Sequence, residues 1–372
     1  MAVRRLRRLA GLAVVDPDPG APPPGAPPPA APAAGLDPAP ASAGTEPGRP
    51  CVSVVVPVFN ALRSDAAYLG EALESVAAQS WPPLELIVVD DGSEDASLSV
   101  VAEFAGRHPE LETRVVRQAN RGQSSARNAG AAVAAGELLA FLDQDDVWLP
   151  DRLEAVAGRL TGGADLVYTD ADTVDARGEP EVTGIHRERR LGGEHPIRSV
   201  PDALFRDVFV LPGTMTVRAA FFRQLGGFDE TLSGYEDDDL FVRAVTAGRI
   251  DYVPRSTLLW RMYGGNYSYS HRMVASRVKY WRKLMRAYGA DTSVARRLTL
   301  RFYRECLVQC TTLLDAGEPL ALDNFLAAQA LSSSLGPVDR AAFGVTRWAW
   351  TRSSRAGFLA RWWLLAGLEG RA

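Results

Sequence analysis

The sequence is poor in several things that define common protein classes. It has three cysteines in 372 residues, and no two of them form a CxxC pair. A disulfide framework is therefore excluded, and a reducing, cytoplasmic setting fits best. No stretch reaches the ~18 consecutive apolar residues that a membrane-spanning helix requires. The apolar run at 9–15 stops at Asp16-Pro17 and is too short for a secretory signal. The four histidines, at 108, 186, 195 and 271, lack ligand-like spacing, so none is assigned to a metal. There is no GxGxxG after the first strand-like segment and no GxxxxGK[ST], so the usual backbone cradles for phosphate are missing. A formal net charge of −4 provides no basic surplus for a nucleic-acid partner. What is present is 47% hydrophobic and 23% charged residues, enough for two domains or one large α/β domain.

Residues 1–50 differ from the rest. Four arginines precede residue 9, and more than half of the 25 prolines lie between 16 and 50. Proline removes an amide donor and fixes φ, so neither helix nor sheet propagates there. The segment reads as a disordered linker behind a basic tail. An alternative for the arginine-rich start is a short amphipathic helix on anionic lipid.

From residue 51 the pattern is α/β. Apolar, β-branched runs at 52–56, 84–89, 114–117 and 138–142 alternate with helix-like stretches at 67–78, 95–106 and 123–135. That alternation predicts βαβ units and a doubly wound, mainly parallel sheet with helices on both faces. Ligands in such sheets bind beyond the carboxyl ends of the strands. The polar clusters stand at those ends. Asp143-Gln144-Asp145-Asp146 follows one strand, and three carboxylates in four residues repel one another unless a cation or solvent relieves them. Mg2+ or Mn2+ takes one or two carboxylates plus substrate phosphates. An acidic turn with Asp146 or Asp151 capping the next helix is the competing reading. Asp90-Asp91-Gly92-Ser93 ends another strand and could accept from a base N–H or serve as a turn. Asn120 to Gly130 opens a helix that carries Arg127 and small residues suited to close packing. Tyr235-Glu236-Asp237-Asp238-Asp239 places four acids at a helix start. The helix dipole accounts for one or two of them, and a cleft carboxylate among like charges would have a raised pKa suited to a general base.

The segments VSVVVPVFN, ELIVVDDGSEDAS, NRGQSSARNAG, ELLAFLDQDDVWLPDRL, GGFDE and YEDDDLFVRA, in this order over 52–247, resemble family-2 glycosyltransferases of the GT-A fold. The resemblance implies an inverting, metal-dependent transfer from a nucleotide-diphospho-sugar donor, with UDP expected and dTDP or GDP as alternatives. The acceptor would be a hydroxyl of a glycan or lipid-linked glycan, in polysaccharide or cell-envelope synthesis. It implies Asp90 on the base, Pro57 and Phe59 lining the base pocket, and Arg127 near the nucleotide. Asp145 would bind metal, Asp143 would support the ribose or the metal, and Asp237 would act as the base with Glu236 beside it. A slip of one position to Asp238 stays open. Two departures stand out. Ala61-Leu62 follows Asn60 where many relatives have an acid, and Tyr263 stands where many have a histidine, so Arg261 and Tyr263 are candidates to hold the diphosphate.

Beyond 268 the pattern is helical, at 270–288, 295–315, 321–334 and 339–367. The expected organisation is a disordered 1–50, a catalytic domain over 51–268 and a helical region over 269–372. Cys306 and Cys310 share a helix face and read as buried thiols. Trp348, Trp350, Trp362 and Trp363 among arginines suit either a membrane interface or ordinary packing. Peripheral contact at the inner membrane face therefore stays open, as does oligomeric state. A catalytically inactive protein of the same fold, nucleotide-sugar-binding or scaffold, is the alternative function.

Overall fold

The computed structural model describes residues 49–81, 84–187, 194–206, 208–263 and 271–315, with Asn324, Ala327, Ala328 and Leu331 beyond them. The basic, proline-rich start and the tryptophan–arginine cluster at 348–363 lie outside the described residues. Among the described residues no helix is long and apolar enough to cross a membrane.

The strands are β1 (Val52–Val58), β2 (Leu84–Asp90), β3 (Glu112–Arg117), β4 (Leu138–Phe141), β5 (Val147–Trp148), β6 (Leu166–Val174), β7 (Pro180–Val182), β8 (Met215–Arg218) and β9 (Ile250–Arg261). The helices are α1 (Ala66–Ala77), α2 (Ser97–Arg107), α3 (Gln123–Val133), α4 (Arg152–Thr161), α5 (Val200–Phe205), α6 (Ala219–Leu225), α7 (Glu236–Ala247), α8 (His271–Tyr288) and α9 (Thr292–Asp315). They form one α/β unit around a single sheet of order β3-β2-β1-β4-β8-β6-β9-β5, with β7 on β6.

The long pairings, β1 with β2 and β4, β2 with β3, and β6 with β9, are parallel. Short antiparallel pairings of β8 with β4 and β6, of β5 with β9 and of β7 with β6 complete the sheet. The four foreseen strands and three foreseen helices occupy the half built from β1 to β4. Strand alternation sends side chains to two faces. Val54, Val56 and Val58 of β1 pack with Leu69 and Leu73 of α1, Phe104 of α2 and Leu153 of α4. Val55, with Ile87 and Val89 of β2, packs with Ala126 of α3, Phe222 of α6 and Phe241 of α7. Phe302 and Tyr303 of α9 belong to that second core, so the C-terminal helices share it with the sheet. Gly130 explains how α3 sits so close: a Cβ there would stand 2.4 Å from Val55 Cγ1.

Candidate active site

The carboxyl ends of β1, β2 and β4 open on one cavity of about 470 Å³. At one end it is lined by Pro57 and Phe59 from β1 and its loop, Asp91 after β2, Arg127 of α3, and Asp143 to Asp146 after β4. The other end is lined by Leu232 to Asp237 at the start of α7, with Arg272 and Met273 of α8. The expected cluster at the strand ends therefore forms a single depression.

Phe59 is 40% exposed, and its backbone N–H donates to Gln144 Oε1 at 2.9 Å. Asn60 adopts a left-handed conformation (φ 46°) and braces two loops. Its Oδ1 accepts from Glu94 N at 2.8 Å, and its own N–H donates to Ser93 Oγ at 3.0 Å. Asp90 stands outside the cavity lining. Its fully buried carboxylate accepts from Ser93 N at 2.9 Å and Arg117 Nε at 3.3 Å. The next residue, Asp91, is in the wall and accepts from the N–H groups of Arg121 and Gly122 at 2.8 Å and from Gln118 Nε2 at 2.7 Å. It holds the loop that opens α3. The alternation of β2 turns Asp90 toward the interior and leaves the following position to the rim.

Arg127, 1% exposed, ties the two ends together. Its Nη2 meets Asp143 Oδ1 at 2.5 Å and its Nη1 meets Glu236 Oε1 at 2.9 Å. Burial opposes this charge, and the two carboxylates more than offset it, holding the guanidinium firmly protonated. Asp145 accepts from the Tyr263 hydroxyl at 2.8 Å. Burial and then the Asp143 charge raise the pKa of Asp145, and burial raises that of Tyr263. Asp146 is buried and accepts from Arg261 N at 3.0 Å. Its pKa is pushed well up by burial and by Asp145 and Asp143. Neither Asp146 nor Asp151 caps α4 as the sequence allowed: Asp151 is the N-cap residue, yet its side chain makes no capping bond and pairs with Arg255. Arg261 also stands outside the lining. It lies over the Tyr68 ring, donates to Asp145 O at 3.0 Å and pairs with Glu71 at 2.5 Å. Of the two candidates to replace a histidine, Tyr263 faces Asp145 and the cavity while Arg261 buttresses from behind.

Asp143 and Asp145 are hard oxygen donors facing one space, and a divalent cation would relieve the repulsion that raises Asp145. No group of three acids, histidines or cysteines poised for a metal exists among the described residues. The remaining ligands would come from phosphate and water, as suits Mg2+. The pair fits an ion shared with substrate.

At the other end, the acids that open α7 have distinct fates. Glu236 accepts from Arg127, from Gln123 Nε2 at 2.5 Å and from Gly234 N at 2.8 Å. Asp238 is buried against Arg301 of α9, 2.8 Å away. Asp239 meets Arg243 at 2.7 Å and Lys283 of α8 at 2.6 Å. Asp237 has no ion pair among the described residues. It accepts from Asp238 N at 2.9 Å and lines the cavity. Burial, then the charges of Glu236 and Asp238, push its pKa well above the ordinary carboxylate value. Of the two neighbouring acids left open as the base, Asp237 lines the cavity and Asp238 does not. The sequence reading missed Asp91, Lys283, Arg301 and Glu305. For the last two, the Arg301–Glu305 spacing of one helical turn was the available signal.

The family model described as glycosyl transferase family 2 matches residues 53–224. An uncharacterized glycosyltransferase of Nostoc, alr2836, is 42% identical over 105 residues, 28% of this chain and 31% of the relative. The chain thus spans about a third of that relative's length. TarS of S. aureus in complex with UDP-GlcNAc is similar in fold, with a TM-score of 0.57, 18% identity, and coverage of 85% of this chain and 92% of the other. The mannosyltransferase PcManGT of Pyrobaculum calidifontis, in complex with GDP-Man and Mn2+, gives a TM-score of 0.52 at 20% identity, over 85% and 88% of the two chains.

Proposed function

Residues 53–224 match glycosyl transferase family 2, and on that premise we propose that the chain moves a sugar from a nucleoside diphosphate to an acceptor hydroxyl with inversion at the anomeric carbon. The observation that carries this reading is the single cavity with Asp237 at one end and Asp143 and Asp145 at the other. The donor is a UDP-sugar and the acceptor a hydroxyl of a glycan or lipid-linked glycan.

In this reading the base lies against Pro57 and the exposed ring of Phe59. Asp90 acts through the loop it holds and does not touch the base. Asp143 and Asp145 hold Mg2+ or Mn2+, which when bound supplies charge neutralisation for the departing diphosphate. Arg127 is fixed by Asp143 and Glu236 and adds positive charge beside the diphosphate without moving during the reaction. Asp237 takes the proton from the acceptor hydroxyl as that oxygen attacks the anomeric carbon. Its raised proton affinity makes it a better base than an ordinary aspartate. One in-line displacement inverts configuration, through a transition state of oxocarbenium character.

The test is thermal unfolding of the full chain with UDP, dTDP, GDP, CDP and NAD, each with and without Mn2+. A ligand at ~100 times its dissociation constant stabilises by about 2.7 kcal/mol, a rise of about 4 °C or more. A manganese-dependent rise with one nucleoside diphosphate supports the reading and names the donor class. No rise with any of them defeats it in favour of a scaffold.

A further inference from the structure

Among the described residues Asp237 differs from its neighbours in having no ion pair, and the groups that set it apart come from far along the chain. α9 presents Arg301 and Glu305 on one face, joined at 3.0 Å. Arg301 donates to Asp238 Oδ2 at 2.8 Å and to the carbonyl oxygen of Leu204, at the end of α5, at 3.0 Å. Glu305 accepts from the Tyr235 hydroxyl at 2.8 Å, and that same hydroxyl accepts from Arg277 Nε of α8 at 2.7 Å. Arg277 Nη1 donates on to Asn324 Oδ1 at 2.6 Å. Tyr235 is the residue just before the acids and is held at φ 65°, a conformation that a tyrosine adopts only when its surroundings enforce it. Gly234 before it has φ 126°, with Met273 Sδ where a Cβ would be, and Ser276 Oγ donates to its carbonyl at 2.6 Å. The C-terminal helices thus grip the acid run on both sides of Asp237 and supply the cation for Asp238.

We propose that Arg301 is a positioning residue for Asp237. By pairing with Asp238 it removes the competing carboxylate and fixes the first turn of α7, so that Asp237 alone presents an uncompensated carboxylate to the acceptor side of the cavity. The inference rests on the transferase reading above. The charged and titratable groups around the pair Asp237–Asp238 include Glu236 and Asp239 on α7, Arg127 on α3, Tyr280 on α8, and Arg301 and Glu305 on α9, and Arg272 of α8 lines the same end of the cavity. Arg301 is the cation among them that neutralises Asp238, and Arg127 serves Glu236.

The experiment measures release of nucleoside diphosphate from UDP-GlcNAc and GDP-Man with Mn2+, in the full chain, for wild type, Arg301→Met, Arg301→Lys and the double variant Asp238→Asn/Arg301→Met. Arg301→Met is expected to lower kcat tenfold or more and to move the acid limb of the pH profile, with KM for the donor within twofold of wild type. Arg301→Lys should retain most of kcat. The double variant, in which both charges are gone, should recover at least half of the loss on a logarithmic scale, which a purely steric role would not do. If Arg301→Met fails to fold, the lysine and double variants carry the test alone. Wild-type release with kcat and pH profile unchanged across these variants would overturn this proposal and leave the transferase reading standing. No release from either donor by the wild-type chain would overturn both.

Discussion

The two ends of the cavity are built in different ways. The end that the proposed reading gives to the donor is lined from residues 57–146, and Phe59, Asp91, Asp143 and Asp145 stand within a few positions of a parallel strand's end, so the sheet itself aims them. The other end is the first turn of α7, and its acids are secured from elsewhere: Glu236 from 109 positions before, Asp238 from 63 positions after. A strand-end loop is positioned by its own strand. A helix start crowded with like charges is positioned only by the cations that other elements bring to it.

Mutations at the two ends should therefore separate binding from turnover. The largest effect is expected for Asp237→Asn. Turnover should fall about 10²–10⁴-fold, the usual worth of a general base, while a manganese-dependent rise in Tm with nucleoside diphosphate persists. Loss of that rise would break the division between the ends. Arg127→Met should damage both ends at once, because it strips Asp143 and Glu236 of one shared partner. Breaking a buried pair costs about 3–5 kcal/mol, to be read from chemical denaturation. Asp145→Asn should abolish the manganese-dependent part of nucleotide stabilisation, about 4 °C at saturating ligand, and leave Tm without ligand nearly unchanged. Tyr263→Phe removes one hydrogen bond to Asp145, worth about 1 kcal/mol, and should change the manganese requirement about fivefold with the donor unchanged.

The smallest effect concerns stability against pH. The folded-state pKa of Asp237 is raised. Between the ordinary carboxylate value and that raised value the folded chain holds a proton that the unfolded chain has released. Stability contributed by this group is thus present at acid pH and is lost as pH rises through that window. Asp237→Asn should therefore raise Tm at pH 8 by about 2 °C, and the difference should vanish below about pH 4. A site that gains stability by losing its acid is one where charge is retained for chemistry.

The legible part of the molecule follows the same division. β1, β2 and β4 announce themselves as apolar runs ending in acids, and the helices between them as amphipathic stretches. β9 does not, because Pro254 and Arg255 bulge out between the Val253–Thr169 and Ser256–Asp170 pairings and break its alternation. β5 is two residues long and gains its identity only from β9. The acid run was visible, and so was its excess over what a helix dipole needs. The resemblance pointed to Asp237 and left Asp238 open, and the residues alone could not choose between them, because that depends on Arg301 and Lys283, which on α9 and α8 read as ordinary polar positions. Asp90 was the more conspicuous residue of its pair by resemblance, yet one step of strand alternation gives the cavity wall to Asp91.

The chain is made from its N-terminus, and the contact between Arg301 and Asp238 closes only after α9 has been synthesised. A nascent chain ending near residue 265 would already carry β1 to β4 with Asp143 and Asp145. It would lack the guanidinium that quiets Asp238 and the clasp on Tyr235. On the proposed reading, nucleotide binding and turnover would then arise at different moments of translation, and the emergence of α9 would set when turnover begins.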